Sequence, residues 1–419
     1  MTDNDAGTTA TTIPAAPRPA EHRITRLGRF GPAFLGLQLG WALPSAAGGT
    51  LLQALLAEQH GTAKVDLLAV ITTIGAVIAV ISTVVAGAWS DRTRSRFGRR
   101  NPWILGGALA SATGLALTGA LPWLPVQIVA FALYQGGLNA MLAAGGALLP
   151  DRVAGSALGK ASAYSGAGYL IGTALGSVVA SALIANPGRG LMIVPWTMFI
   201  AALLLVLVLR EPSTRDRSAP PSAVLRSLLP PRDRDFLLAF AGRFGVILGL
   251  TVIVFYQLYI FTDFLHIDTA AAASRIALGT TLLVLAAVVA AVIGGLVSDR
   301  LGRRKPLVML ASLLIAVAAV PMVVAPNVTA LMALYVVAGL GWGLYLSVDQ
   351  ALMVEVLPTS GAEAKELGTL SIANSAPSVI APVIAAVVVT AFGFHALFLF
   401  TIVVALLGGA CIAMIRRVR

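Results

Sequence analysis

Scanned with a window of about 19 residues, the chain separates into twelve apolar segments divided by short polar interruptions. They cover 31–57, 66–89, 102–121, 125–149, 158–184 and 191–210, then 236–262, 274–297, 306–324, 328–354, 367–391 and 395–415. Each is long enough to cross a hydrocarbon core of roughly 30 Å as a helix. The apolar runs are continuous rather than alternating, and an open sheet edge in lipid would leave main-chain groups unpaired, so helices are expected and strands are not. Residues 1–30 read as a disordered tail, rich in Thr, Ala and Pro and closed by Arg23, Arg26 and Arg29. The apolar stretch that follows is too long for a signal-peptide core and has no small-residue cleavage site behind it, which makes it span 1. Residues 211–235, with Glu211, Arg215, Asp216, Arg217 and the pairs Pro220-Pro221 and Pro230-Pro231, do not suit a membrane and read as a linker. The pattern therefore predicts an all-α membrane protein of two six-helix bundles, 31–210 and 236–415, with a short tail at 416–419.

Composition agrees. With 58% apolar and 11% charged residues and a mean hydropathy of +0.89, a soluble fold would leave much apolar surface in water. The net charge of +11 does not point to nucleic acid, because the basic residues flank the spans and form no continuous basic face. With the amino terminus inside, the outer loops hold only Lys64, Arg189 and Arg275, and Arg416, Arg417 and Arg419 return to the inner side. That satisfies the positive-inside rule with both termini cytoplasmic. Arginine far outnumbers lysine and alanine is abundant, a bias expected of a high-GC bacterial genome and hence of a bacterial cytoplasmic membrane. Cys411 is the single cysteine, which leaves no disulfide framework and no cysteine metal site. No H-E-x-x-H pair, mid-span histidine or G-x-x-x-x-G-K-[ST] loop occurs, so neither a membrane enzyme nor ATP-driven pumping is expected, and no cofactor is.

The halves repeat one another. Asp91-Arg92 with Gly98-Arg99-Arg100, in the loop after span 2, returns 208 residues later as Asp299-Arg300 with Gly302-Arg303-Arg304, and Pro150 returns at the same offset as Pro358. A carboxylate at the inner end of a span can accept charge-assisted hydrogen bonds from arginines or a helix amino terminus of the opposite half, which would hold the inner side shut. Asp91 and Asp299 are the candidate acceptors of such a latch. Arg92, Arg99, Arg100, Arg300, Arg303 and Arg304 are the candidate donors, and Gly98 and Gly302 allow the tight turn. The plainer reading is that these arginines only fix topology.

Twelve spans, a central linker and the motif G-x-x-x-D-R-x-x-x-x-x-G-R-R between spans 2 and 3 resemble the major facilitator superfamily. Ser90 to Pro102 and Gly36-Leu37-Gln38-Leu39-Gly40-Trp41-Ala42-Leu43 are similar to the corresponding stretches of the sucrose-proton symporters, close to the glycoside-pentoside-hexuronide branch. The resemblance implies a cavity lined by spans 1, 4, 7 and 10, alternating access between two halves, and function as a monomer. It also implies that Gln135 stands where those symporters carry an intramembrane aspartate. Glutamine accepts and donates hydrogen bonds but carries no proton at neutral pH.

Residues costly to bury are the remaining candidates. Asp349 in span 10 is the clear intramembrane acid, either a coupling group or substrate hydrogen-bond acceptor, or else a structural partner of Arg243 or of the second latch loop. Gln38, Trp41, Tyr134, Gln135, Asn139, Tyr256, Gln257, Trp342 and Tyr345 are candidate substrate contacts, with Tyr169 and Asn374 beside them; each taken singly is equally explained by helix packing. Aromatic faces with hydrogen-bonding edges suit a sugar ring or a glycoside. Gly168, Gly172 and Gly176 read as a close helix crossing, and Pro44, Pro377 and Pro382 as bends or tolerated kinks. The expected function is secondary transport of a small sugar-like solute across the bilayer, with protons as a candidate coupling ion. The alternative is efflux of a drug or secondary metabolite on the same scaffold.

Overall fold

The computed structural model describes residues 27–153, 155–209, 211, 233–301, 303–356 and 363–416. The amino-terminal tail up to residue 26, nearly all of the linker, Gly302, Pro358 and the last three residues lie outside the described residues. The first half runs α1 (Phe30–His60), α2 (Lys64–Arg92), α3 (Asn101–Ala120), α4 (Leu124–Arg152), α5 (Gly155–Leu183) and α6, in two pieces, Pro187–Ile193 and Trp196–Val208. The second half begins with α7 (Arg234–Phe255, resuming at Gln257–Tyr259 and ending in a wide turn, Ile260–Phe264). It continues through α8 (Thr269–Leu301), α9 (Lys305–Val324) and α10 (Val328–Val356). A final helical stretch, Glu363–Ala413, contains α11 and α12, parted at Gly393, whose φ of +78° a side chain would strain. Inner and outer ends are named here after the charge asymmetry of the loops.

Every apolar segment of the sequence is thus helical, the sixth in two pieces that together span membrane length, and the protein is an all-α membrane protein. The helices are apolar on all sides, because their outward faces meet lipid and their inward faces meet other apolar helices. Crossings are made by small residues that let backbones approach. Side chains at Gly168, Gly172 and Gly176 of α5 would run into Leu35, Leu39 and Leu43 of α1, so the predicted close crossing is present. In the second half Gly242 and Gly408 bring α7 against α12 in the same way.

Between the halves, α2 packs on the Glu363–Ala413 stretch and α5 packs on α8. The buried apolar residues show where the halves join. One continuous core takes in the first half together with the outer part of the second, including Val252, Phe261, Ala318 and Phe398. The inner part of the second half, with Phe236, Val308, Tyr345 and Ile412, forms a core of its own. The halves are fused at the outer end and diverge at the inner end.

Candidate functional site

The outer closure is built on a broken helix. At Tyr256 the backbone leaves helical geometry (φ −119°, ψ 16°), whereas the sequence predicts an unbroken span over 236–262. The break frees main-chain donors, and the opposite half takes one of them: Leu258 N–H donates to Gln53 Oε1 of α1 at 3.0 Å. Around it, Tyr259 OH donates to the Gln53 carbonyl at 3.0 Å, and Gln257 Nε2 donates to Thr50 Oγ1 at 3.2 Å while its Oε1 accepts from Tyr335 OH at 3.2 Å. Lys64, at the start of α2, forms an ion pair with Asp263 at 2.7 Å and lies 4.9 Å from the centre of the Tyr259 ring. Tyr256 and Gln257, candidate substrate contacts, take part in this seal; Tyr256 is fully buried and its hydroxyl reaches the Val65 carbonyl at 3.4 Å.

At the inner end the arginines of the first loop bind carboxylates of their own half. Arg100 Nη2 meets Asp91 at 2.7 Å and Asp151, at the end of α4, at 3.3 Å, while its Nη1 donates to Ser90 Oγ at 2.6 Å. Arg99 pairs with Asp151 at 2.6 Å. The Glu211 carboxylate accepts from the main-chain N–H groups of Arg100 and Asn101 at 2.9 and 3.2 Å, an anion at the amino terminus of α3. Gly98 (φ +89°) turns the chain there, and Glu211 occupies the place where its side chain would be. Arg92 is exposed and forms no ion pair with these carboxylates among the described residues. Asp91 therefore has its arginine partners within the first half in this conformation, and the expected engagement with the other half is not made among the described residues. In the second copy, Arg300 and Arg303 are exposed and Arg304 stands at the amino terminus of α9. Lys305 donates to the Ile415 carbonyl at 2.8 Å; the side chain of Asp299 lies outside what is described.

The mid-membrane candidates fall into separate clusters. On α1, Trp41 Nε1 donates to Gln38 Oε1, and the Trp41 ring lies 5.4 Å from that of Tyr169 on α5. Tyr134 of α4 donates to Ser45 Oγ of α1 at 3.1 Å. Gln135 and Asn139 stand on the α4 face turned to α2: Gln135 packs at Gly75, and Asn139 accepts from Thr83 at 3.3 Å and donates to the Gln135 carbonyl at 2.9 Å. On α10, Trp342 stacks on Tyr345 at 5.6 Å. Asp349 Oδ2 lies 3.1 Å from Arg243 Nη2 of α7, both side chains buried. Among the described residues Arg243 Nε has no hydrogen-bond partner, and the Tyr345 hydroxyl lies beside the Asp349 carboxylate. The side chain of Asn374 lies outside what is described.

Sequence reading missed the seal. Its signal was available as two opposite lone charges, Lys64 and Asp263, at the outer ends of spans 2 and 7. Asp151 and Glu211 were also missed, since nothing local links them to arginines more than 50 positions away.

A two-bundle helical fold, joined at one end and parted at the other around polar side chains, defines a secondary transporter of the alternating-access kind. A family model described as Major Facilitator Superfamily matches residues 32–274 and 255–419, and the chain belongs to that superfamily. Among solved structures, it is similar to a bacterial homologue of the human lysosomal transporter Spinster in an inward-facing, occupied conformation. That match has a TM-score of 0.70 at 13% identity and covers 94% of this chain and 98% of that one. The same homologue in its inward-facing, unoccupied conformation matches with a TM-score of 0.67 at 14% identity over 92% and 94% of the two chains.

Proposed function

We propose that the chain carries a neutral, sugar-like solute across a bacterial cytoplasmic membrane, with both termini cytoplasmic. The observation that carries the reading is the combination of a hydrogen-bonded outer seal with separate cores at the inner ends. This is the geometry of a carrier open to the basic side, and the other state is reached by breaking the seal and bringing the inner ends together. The polar groups on α1 and α4 are amides and hydroxyls set beside aromatic rings, which match hydroxyls and ring faces of a sugar better than a charged solute. The buried acid Asp349 is committed to Arg243, so the proposal gives it the task of tying α10 to α7.

Uptake of labelled disaccharides and glycosides into vesicles, with and without a protonophore, tests the reading. Saturable uptake of a member of the panel supports it, and loss of accumulation with protonophore adds proton coupling. Transport of amphipathic drugs with no sugar moved would replace it with efflux.

A further inference from the structure

At the inner end of the first half a groove of about 510 Å³ runs between α3 and α4, roofed by the loop after α2. Its walls are Trp103, Gly106, Gly107, Ala110, Gly137 and Ala140. The helices that form it make their main contacts within the first half, α3 with α4 and α6 and α4 with α3 and α2. Leu109 and Leu133, about one helical turn from Gly106 and Gly137, are exposed as a lipid-facing surface would require. Two of its glycines are needed for packing: a side chain at Gly107 or Gly137 would collide with the backbone of the facing helix. Gly106 is different. A Cβ there meets no atom within 4 Å, so at this position the groove is open space.

The mouth of the groove is aromatic and basic. Trp103 donates its indole N–H to Thr93 Oγ1 at 2.8 Å, and the Trp89 ring, largely exposed, lies 6.1 Å from that of Trp103. Tryptophan in such a place marks the headgroup level of a bilayer. In the chain directly after Thr93, which lines the groove, Arg94 and Arg96 are exposed and form no ion pair among the described residues, in contrast to Arg99 and Arg100, which Asp91 and Asp151 already hold. Arg96 lies over the ring of Phe97, itself exposed, at 4.7 Å.

The geometry points to a binding site for an anionic phospholipid of the inner leaflet. Its phosphate is held by Arg94 and Arg96, and one acyl chain lies in the groove past Trp103 and Gly106. Charge complementarity selects this occupant: guanidinium groups without a carboxylate partner next to Trp89 and Trp103 ask for an anion, and the apolar groove beside them asks for a hydrocarbon chain. The site stands apart from the proposed solute and does not depend on it.

The test is lipid binding to the full chain in detergent, followed by native mass spectrometry with dioleoyl phosphatidylglycerol against dioleoyl phosphatidylcholine. Wild type is expected to bind the anionic phosphatidylglycerol roughly thirty-fold tighter, the worth of two arginines at an anionic headgroup. Arg94→Gln with Arg96→Gln is expected to abolish that preference. Gly106→Leu, which fills the groove where there is room for it, is expected to weaken both lipids while leaving the melting temperature in place. Equal binding of the two lipids by wild type overturns the proposal. So does Gly106→Leu binding both as tightly as wild type, which would reduce the effect to general attraction by a basic surface.

Discussion

Asp349 and Arg243 hold each other in a place where neither would survive alone. Both are more than nine-tenths buried, and leaving one charge unpaired in such a site costs about 3–5 kcal/mol. Asp349→Asn is therefore expected to lower thermal stability or the folded yield sharply, and adding Arg243→Gln is expected to recover most of the loss. If Asp349→Asn instead folds normally, exchanges solute, and fails only to accumulate it, the acid is a coupling group and not a strut. The outer pair is a weaker case. Lys64 and Asp263 are each partly exposed, and such pairs contribute up to about 1 kcal/mol. Lys64→Gln is expected to shift the balance of conformers toward outer-open by no more than about five-fold, an effect that shrinks in high salt. Spectroscopic distances between labels on the outer ends of α1 and α7 measure it, and no shift at low salt would leave the pair without a gating role. Residue by residue, chemistry was legible where burial makes a group expensive, as for Asp349, for which depth demanded a partner and left Arg243 as one of the candidates. Gln53 and Tyr259 were not legible, because an amide and a phenol acquire their meaning only from a partner about 200 positions away.

At the level of the helix, the sequence reading succeeds wherever hydropathy decides the outcome. The α1 and α5 crossing was visible as glycines spaced by four, and it makes a clear demand: Gly172→Leu is expected to push α5 off α1 and abolish folded expression, whereas Gly166→Ala, with open space at its Cβ, is expected to be neutral. Equal expression of the two variants would mean that the crossing tolerates separation. The break in α7 was invisible, since Phe255-Tyr256-Gln257 contains neither proline nor glycine. Local propensity favours a continuous helix there. The interruption persists because the other half supplies Gln53 to the donor that it frees, and that is information about assembly and not about span 7.

For the molecule as a whole, length and hydropathy suffice to give the two six-helix halves, because a bilayer leaves so few ways to satisfy a backbone. They carry no information on which end is open. That depends on how two nearly symmetrical surfaces meet, and differences between such states amount to a few kcal/mol in all. The orientation is a separate proposal and can be checked directly. In a Cys411→Ser background, cysteines at Gly61 and Gly188 are expected to react with an impermeant reagent from outside intact cells, and one at Arg94 only after the membrane is opened. Reversed labelling at any of these overturns the positive-inside assignment.

The amide of Leu258 carries a further consequence. Because its acceptor belongs to the opposite half, parting the outer ends strands a main-chain donor, at a cost of about 1–3 kcal/mol, unless the helix closes its own gap and Leu258 turns to a carbonyl of α7. Outer opening and the mending of α7 are thereby one event. In deuterated water that amide reports the coupling: with α7 mended it stays protected when the outer ends part, so variants that loosen the seal are expected to leave its exchange slow, and a rise in exchange would show a stranded donor and an unmended helix.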